Sequence, residues 1–537
     1  MSSQFRSSGF LFDNNEVSFS KSKWFIMIPG FFWILYHLIT LSRSPLPYFD
    51  EAFFASITRS LQDEGLLMLK MSTVPRFENE EVLFYGPVYF YIQLFITNII
   101  GWGIFEFRLL SLLCGFGIVT VIMFIAKRLS IKQGAFITLF YILIFDPELN
   151  ANMHSARMDS LALLTFLLGI YMFFFSRLKS LPSAFLAGLF LSISLLTTPR
   201  IGFLFLILPV GFLLELYASM RRGSKISLPK LFPYSILIKY TITFIIIIVP
   251  FFLWIFLKAG GIEKYLSEFQ NNPGLNVFIK YFNIPKFYLL PAFGLYVMII
   301  LVTILFTRKN RDQHTSFNWK IIPLLIVPLI YIIFIKGGYF VYAMPVLYLS
   351  VIYLIFNIIK IKGLINKWSS KVLVSFVIGI LFINLAIFGF KSLYLIQFWE
   401  ARNPDFFESY FESKRISKEN ILASHQYHFV VANKNHYISN EDNRDLNANK
   451  ADKLQIKFAF IATKAYEREP EYFKSLGFRE IERFKIKEPK NSYLGKLLSM
   501  IPLDVLQSYE GLYLQREIGF VGDKSKLLIQ ENKTNSE

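Results

Sequence analysis

A single cysteine, Cys114, stands in the whole chain, so no intrachain disulfide can form and any exported part must fold by packing alone. Charge is sparse too, at 18% of residues against 54% hydrophobic and 18% aromatic. A chain so poor in charge, with its apolar residues gathered in blocks near bilayer-spanning length, reads as a multi-span membrane protein. Acids are scarcest where bases are densest. Five basic clusters interrupt the apolar blocks, at Lys127 to Lys132, Arg177 to Lys179, Arg221 to Lys230, Arg308 to Arg311 and Lys360 to Lys371, and Asp312 is the one acid among them. The positive-inside rule accounts for this bias and for the net charge of +18, and no nucleic-acid partner is implied. An internal repeat is absent, as are a strong metal-ligand spacing and a cleavage pattern after the first apolar block, Trp24 to Leu41. That block is expected to be an uncleaved first span.

With all five clusters and the N-terminal segment 1–23 placed in the cytoplasm, parity constrains the rest. The first outer loop, 43–108, holds an apolar block, Phe84 to Ile100, that is short and interrupted by Tyr85-Gly86-Pro87. It is expected to be a juxtamembrane or re-entrant helix, leaving Leu109 to Ala126 as the second span. Crossings then follow near 133–149, 160–176, 183–198, 201–217, 233–257, 287–306, 321–335, 340–358 and 372–390, about eleven in all within a membrane domain spanning 24–390. Residues 391–537 are more polar, with a strand-like run KFAFIAT (457–463) and a helix-Gly-strand pattern over 469–486. They are expected to form a small α/β domain on the outer side.

The topology gathers charge on one face. Asp50 and Glu51 follow the first span, and HSARMDS (154–160) adds His154, Arg157 and Asp159 at another outer turn. Arg200, in LLTTPRIG, and Lys336, in FIKGGYF, fall at outer span ends. Each residue has a plainer explanation by itself: Asp50 as a helix cap, Arg157 with Asp159 as an interfacial ion pair, Arg200 and Lys336 as snorkelling anchors, His154 as a boundary residue. Charges near bilayer depth cost about 2.5–3.5 kcal/mol each, and acids and bases from four segments converge here, which favours a shared site. Carboxylates suit a general base, and Arg or Lys suits a phosphate held at the membrane surface.

The segments FDEAFFASITRSL, YGPVYFYIQLF, FRLLSLLCGFG leading to AKRLS, ARMDSLALL and LLTTPRIG, in that order over 24–220, resemble the bacterial relatives of dolichyl-phosphate-mannose-protein mannosyltransferases. That family includes enzymes that put aminoarabinose on lipid A. The resemblance implies a type-C glycosyltransferase fold with Asp50 as the catalytic base and Asp159 as the second family acid. It matches Arg200 approximately to a cation at the start of a later span, and places Lys336 and Tyr339 where relatives carry a basic or aromatic pair. Where the family has Lys/His-Pro-Pro this chain has Tyr85-Gly86-Pro87, so a charged contact expected from the family is missing.

The reading is therefore a glycosyltransferase of the bacterial inner membrane. It takes a sugar from a polyprenyl-phosphate carrier to a hydroxyl on a glycan, lipid or protein acceptor at the outer face, by one inverting displacement. Asp50, Glu51 and Asp159 are its candidate catalytic residues; Arg157, Arg200, Lys336, Tyr85, Tyr339 and His154 are its candidate substrate contacts. No cofactor is firmly implied, and a divalent cation is left open. The rival is a transporter or flippase that binds the same lipid-linked sugars without chemistry.

Overall fold

The computed structural model describes residues 16–44, 47, 49–69, 81–83, 85–222, 234–271, 320–334, 341–360 and 367–397, and shorter pieces between 399 and 530. The crossing expected at 287–306 lies outside the described residues, as do Lys336 and Tyr339.

The chain starts with α1 (Glu16–Thr40), α2 (Phe49–Glu64), α3 (Val88–Ile100) and α4 (Ile104–Arg128). Next come α5 (Gln133–Ile144), α6 (Pro147–Met153), α7 (Asp159–Ile170), α8 (Ser180–Thr197) and α9 (Ile207–Arg222). Helices over Tyr234–Leu257, Ile262–Asn271, Ile321–Phe334, Met344–Lys360 and Lys367–Gln397 follow. Among the described residues, six helices have the length and apolarity to cross a bilayer, or seven if α5 and α6 make one span bent by 51°. The protein is thus a membrane protein.

The crossing expected at 133–149 is bent rather than straight, as α5 and α6. Asp146 caps α6, accepting from the Leu149 N–H at 2.6 Å, and Pro147 occupies the first turn. An Asp-Pro pair is a helix-start signal, and here it restarts the helix in a new direction. α3 is too short for a span: 13 residues at ~1.5 Å each reach about 20 Å, against a ~30 Å hydrocarbon core. Tyr91, Phe95 and Ile99 are exposed at four-residue spacing, while Tyr89, Phe90, Gln93 and Thr97 are buried. Such a helix suits a position along the membrane surface, as the short block 84–100 suggested.

α7 lies at the centre, packed on α4 and α8, and α8 packs on the helix Tyr234–Leu257. α7 ends in a π-helical turn, Tyr171–Phe175. Lys239 Nζ donates to the Phe173 carbonyl and Lys320 Nζ to the Phe174 carbonyl, so ammonium groups meet the negative end of the helix. The site lies at its other end.

Beyond the membrane helices, β1 (Asn420–Ala423), β2 (Tyr437–Ser439), β3 (Ile456–Ala462), β4 (Phe478–Phe484) and β5 (Ser525–Gln530) form one sheet in the order β2-β1-β3-β5-β4. β1 is parallel to β2 and β3, while β5 runs antiparallel to β3 and β4. β3 coincides with the strand-like run KFAFIAT, and the helix Pro470–Ser475 with β4 accounts for the pattern over 469–486.

Candidate active site

The first turn of α2 carries Asp50 and Glu51, so the helix begins at Phe49, two residues before the start at Glu51 that a capping Asp50 would give. Glu51 is closed in on every side. Its Oε1 accepts from Arg108 Nε at 2.8 Å and from the Ala156 N–H at 2.8 Å, and its Oε2 accepts from Arg108 Nη2 at 2.9 Å. Arg108 Nη1 donates to the Leu41 carbonyl at 2.9 Å, and both charged side chains are fully buried. This bidentate pair ties together the end of α1, the first turn of α2, the second turn of α4 and the 154–158 turn.

Asp50 faces the other way. Its Oδ2 accepts from Arg157 Nη1 at 2.7 Å, and its side chain is 39% exposed, against 8% for Arg157 and 2% for Asp159. Among the described residues Oδ1 carries no hydrogen bond. Arg157 continues through Nε to Asp159 Oδ2 at 2.6 Å, and Tyr342 OH donates to Asp159 Oδ1. Ser111 Oγ holds the Arg157 carbonyl at 3.0 Å. The result is a polar chain, Tyr342 to Asp159 to Arg157 to Asp50, buried at one end and open at the other.

Arg200 enters from the turn between α8 and α9. Thr198 and Pro199 start a 3-10 helix there, with Thr198 Oγ1 accepting from the Arg200 N–H at 3.4 Å. Arg200 Nη2 donates to Tyr85 OH at 2.9 Å, with its guanidinium 5.3 Å from the Tyr85 ring centre, and its charge acts on Asp159. Gly86 makes this contact possible, because a Cβ there would lie 1.7 Å from the Leu196 carbonyl oxygen. Only glycine lets the Tyr-Gly-Pro turn lie against the end of α8.

His154 lies behind this group. Its Nδ1 is 2.6 Å from the Ser44 carbonyl and its Nε2 is 2.6 Å from His37 Nδ1. A carbonyl only accepts, so the proton is assigned to His154 Nδ1, and Nε2 accepts from His37. Burial first, and then the charge of Lys391, hold the His154 imidazole well below its ordinary value, against the opposing bond to Ser44. The neutral ring serves as a strut between His37 of α1 and the turn at Ser44.

Asp50, Glu51, Arg157 and Asp159 are thus brought together, with Arg200 and Tyr85 beside them and His154 behind. Arg108, Tyr342 and His37 were not singled out from the sequence. Arg108 had a readable signal, since an arginine at the very edge of an apolar block invites a search for its partner. Tyr342 had none, being one of 28 tyrosines in a chain rich in aromatics. Glu148 was also missed; its Oε1 accepts from the Val341 N–H at 3.3 Å and helps place Tyr342. Among the described residues no group of three or more His, Cys, Asp or Glu side chains is arranged to hold a metal ion.

No family model matches the sequence, and no curated protein matches it. Solved structures do align with it. ArnT from Cupriavidus metallidurans in the apo state aligns with a TM-score of 0.50 at 12% identity, over 88% of this chain and 97% of that one. The same enzyme bound to undecaprenyl phosphate aligns with a TM-score of 0.50 at 12% identity, over 87% and 96%. The apo Archaeoglobus fulgidus oligosaccharyltransferase gives 0.47 at 10% identity, over 96% and 89%. The chain has the type-C glycosyltransferase fold implied by its motifs.

Proposed function

We propose that the protein is an integral-membrane glycosyltransferase that moves a sugar from a polyprenyl-phosphate carrier to an acceptor hydroxyl at the outer face of the bacterial inner membrane. The observation that carries this reading is the Asp50 carboxylate, the one open end of an otherwise buried polar chain. The shared fold supports the class of reaction, and undecaprenyl phosphate in one ArnT structure supports the class of carrier.

In this mechanism Asp50 Oδ1 takes the proton of the acceptor hydroxyl as its oxygen attacks the anomeric carbon. The bond between that carbon and the carrier phosphate breaks in the same step, the phosphate leaves with the electron pair, and the anomeric configuration inverts. Arg157 holds Oδ2 so that the other oxygen faces the acceptor, while Asp159 and Tyr342 fix Arg157. Arg200, steadied by Tyr85, stabilises charge on the departing phosphate, a task suited to a preorganised cation in a water-poor site. Glu51 is a positioning group, with Arg108 as its partner. Lys336 and Tyr339 are kept as candidate donor contacts from the motif resemblance.

The test is to supply the full-length protein, in membranes, with a panel of polyprenyl-phosphate sugars and to measure released polyprenyl phosphate and sugar on an acceptor fraction. Coupled release and transfer from one donor supports the reading. Donor binding and translocation with no release across the panel would replace it with the transporter.

A further inference from the structure

The C-terminal sheet region has no part in the chemistry above, yet it reaches the back of the site at two places, and a further contact lies just ahead of it in the chain. Phe429, just after β1 in the chain, shares a buried cluster with Ala55 of α2, Ile104 and Phe107 of α4, and Ala156. Its ring centre lies 5.4 Å from that of Phe107, the residue before Arg108. Ile421 and Ala423 of β1 join a second cluster with Ala52, Phe53 and Phe54 of α2. Between the membrane helices and the sheet, Arg43 Nη1 donates to the Trp399 carbonyl at 2.8 Å, its guanidinium 4.1 Å from the Trp399 ring centre.

These contacts fall on one group of residues. Ala156 gives its N–H to Glu51, and the next residue, Arg157, holds Asp50. Ala52 and Ala55 are both fully buried on α2, small side chains that let another part of the chain come close. From this we infer that the C-terminal sheet region is the rear support of the catalytic loop, with Phe429 as the positioning residue that presses Ala156 toward Glu51 and so sets where Arg157 and Asp50 point. The role rests on the glycosyltransferase reading for its consequence in rate, but the placement itself is a matter of packing. An aromatic ring in a close-packed cluster cannot be removed without its neighbours losing contacts or shifting. A shift of about 1 Å in a catalytic group is enough to slow a reaction by as much as about a hundredfold.

The experiment compares the full-length protein with Phe429→Ala and Phe429→Leu by hydrogen exchange and by transfer kinetics. In Phe429→Ala the amides of 155–158 should exchange at least about tenfold faster, as expected of a local opening, while strand 456–462 and the 108–125 segment keep their protection. Transfer by that variant should show kcat lowered about tenfold to a hundredfold with the donor KM nearly unchanged, and Phe429→Leu should recover most of both losses. Unchanged exchange at 155–158 with the sheet still protected would overturn the inference, as would a loss confined to KM. If Phe429→Ala loses protection over 456–462, Phe429→Leu decides: wild-type exchange and kcat in it would support the inference only when a polar replacement of similar size, Phe429→Gln, loosens 155–158 with the sheet intact, and otherwise overturn it. A wild-type protein that transfers no sugar, yet shows the exchange pattern, would defeat the enzymatic reading and leave the packing role standing.

Discussion

Asp50 and Glu51 are adjacent on α2, and their surroundings are opposite. Successive residues of a helix point about 100° apart, so one carboxylate faces inward to Arg108 and Ala156 while the other faces the opening beside Arg157. Glu51 has donors on both oxygens and no exposure; Asp50 shares one oxygen with Arg157 and keeps the other toward the open side. The pairings also differ in what their removal should cost. A fully buried ion pair that joins four segments contributes to geometry, and breaking it leaves an uncompensated charge inside the protein. An ion pair with one open oxygen loses little stability when altered, and everything that depends on accepting a proton.

Asp50→Asn should therefore give the largest effect on rate and almost none on folding. Asparagine preserves size and helix-start preference, but it cannot act as a base, and general-base catalysis contributes about 10²–10⁴-fold. The protein should insert, bind the lipid donor and transfer almost no sugar. Wild-type turnover in this variant would erase the distinction between the two carboxylates.

Glu51→Gln should reverse the pattern. Arg108 would keep its charge in a fully buried site without a carboxylate, a change that costs about 3–5 kcal/mol. A lower thermal midpoint in detergent, with any loss of rate following the loss of folded protein, is the expected result. A fully stable but inactive Glu51→Gln would instead make Glu51 a participant in the chemistry, and the closed-versus-open contrast would fail.

Gly86→Ala comes next. Its added methyl would collide with the Leu196 carbonyl, so the Tyr-Gly-Pro turn and the end of α8 must separate and Tyr85 must leave Arg200. Transfer should fall by about tenfold to a hundredfold, the range of one hydrogen bond to a charged group, with the effect expressed in use of the donor. Equal loss for donors of every lipid chain length and sugar would still fit, because the contact concerns the phosphate. Normal transfer would show that Arg200 acts without Tyr85.

Much of this is legible in the sequence, for physical reasons. Apolar block length and the basic clusters announce a membrane protein, and charged residues at block ends are conspicuous because hydrocarbon penalises them; Asp50, Arg157, Asp159 and Arg200 stand out that way, and the fold brings them together. Partners were less legible than sites. That Asp50 and Glu51 have different fates depends on which helix face meets Arg108, and Arg108 lies 57 residues from Glu51 in sequence. The α5–α6 bend was written in Asp146-Pro147 but is hidden from a hydropathy count, which sees one apolar block. Gly86 read as a departure from a family pattern, and its reason, a backbone approach to Leu196, exists only in three dimensions.

The smallest effect should come from the buried end of the polar chain. Tyr342→Phe removes the hydroxyl that donates to Asp159 and keeps the ring, so packing against Tyr331 is retained, their ring centres being 6.1 Å apart. Asp159 keeps the bond from Arg157 Nε, and Arg157 keeps Asp50. A hydrogen bond to a charged group contributes about 1.5–3 kcal/mol, but Tyr342 is two contacts removed from Asp50, so only a part of that, roughly twofold to tenfold, is expected in rate. It should appear in kcat, because Tyr342 acts on the orientation of Arg157 and touches neither phosphate nor acceptor in the proposed mechanism. Pairing the change with Asp50→Asn gives the sharper test. If Tyr342 works only through Asp159 and Arg157 on Asp50, the double variant should be no slower than Asp50→Asn alone, since residues acting as one unit are not additive. A further tenfold loss in the double variant would mean that the buried end serves the reaction by a route that does not pass through Asp50.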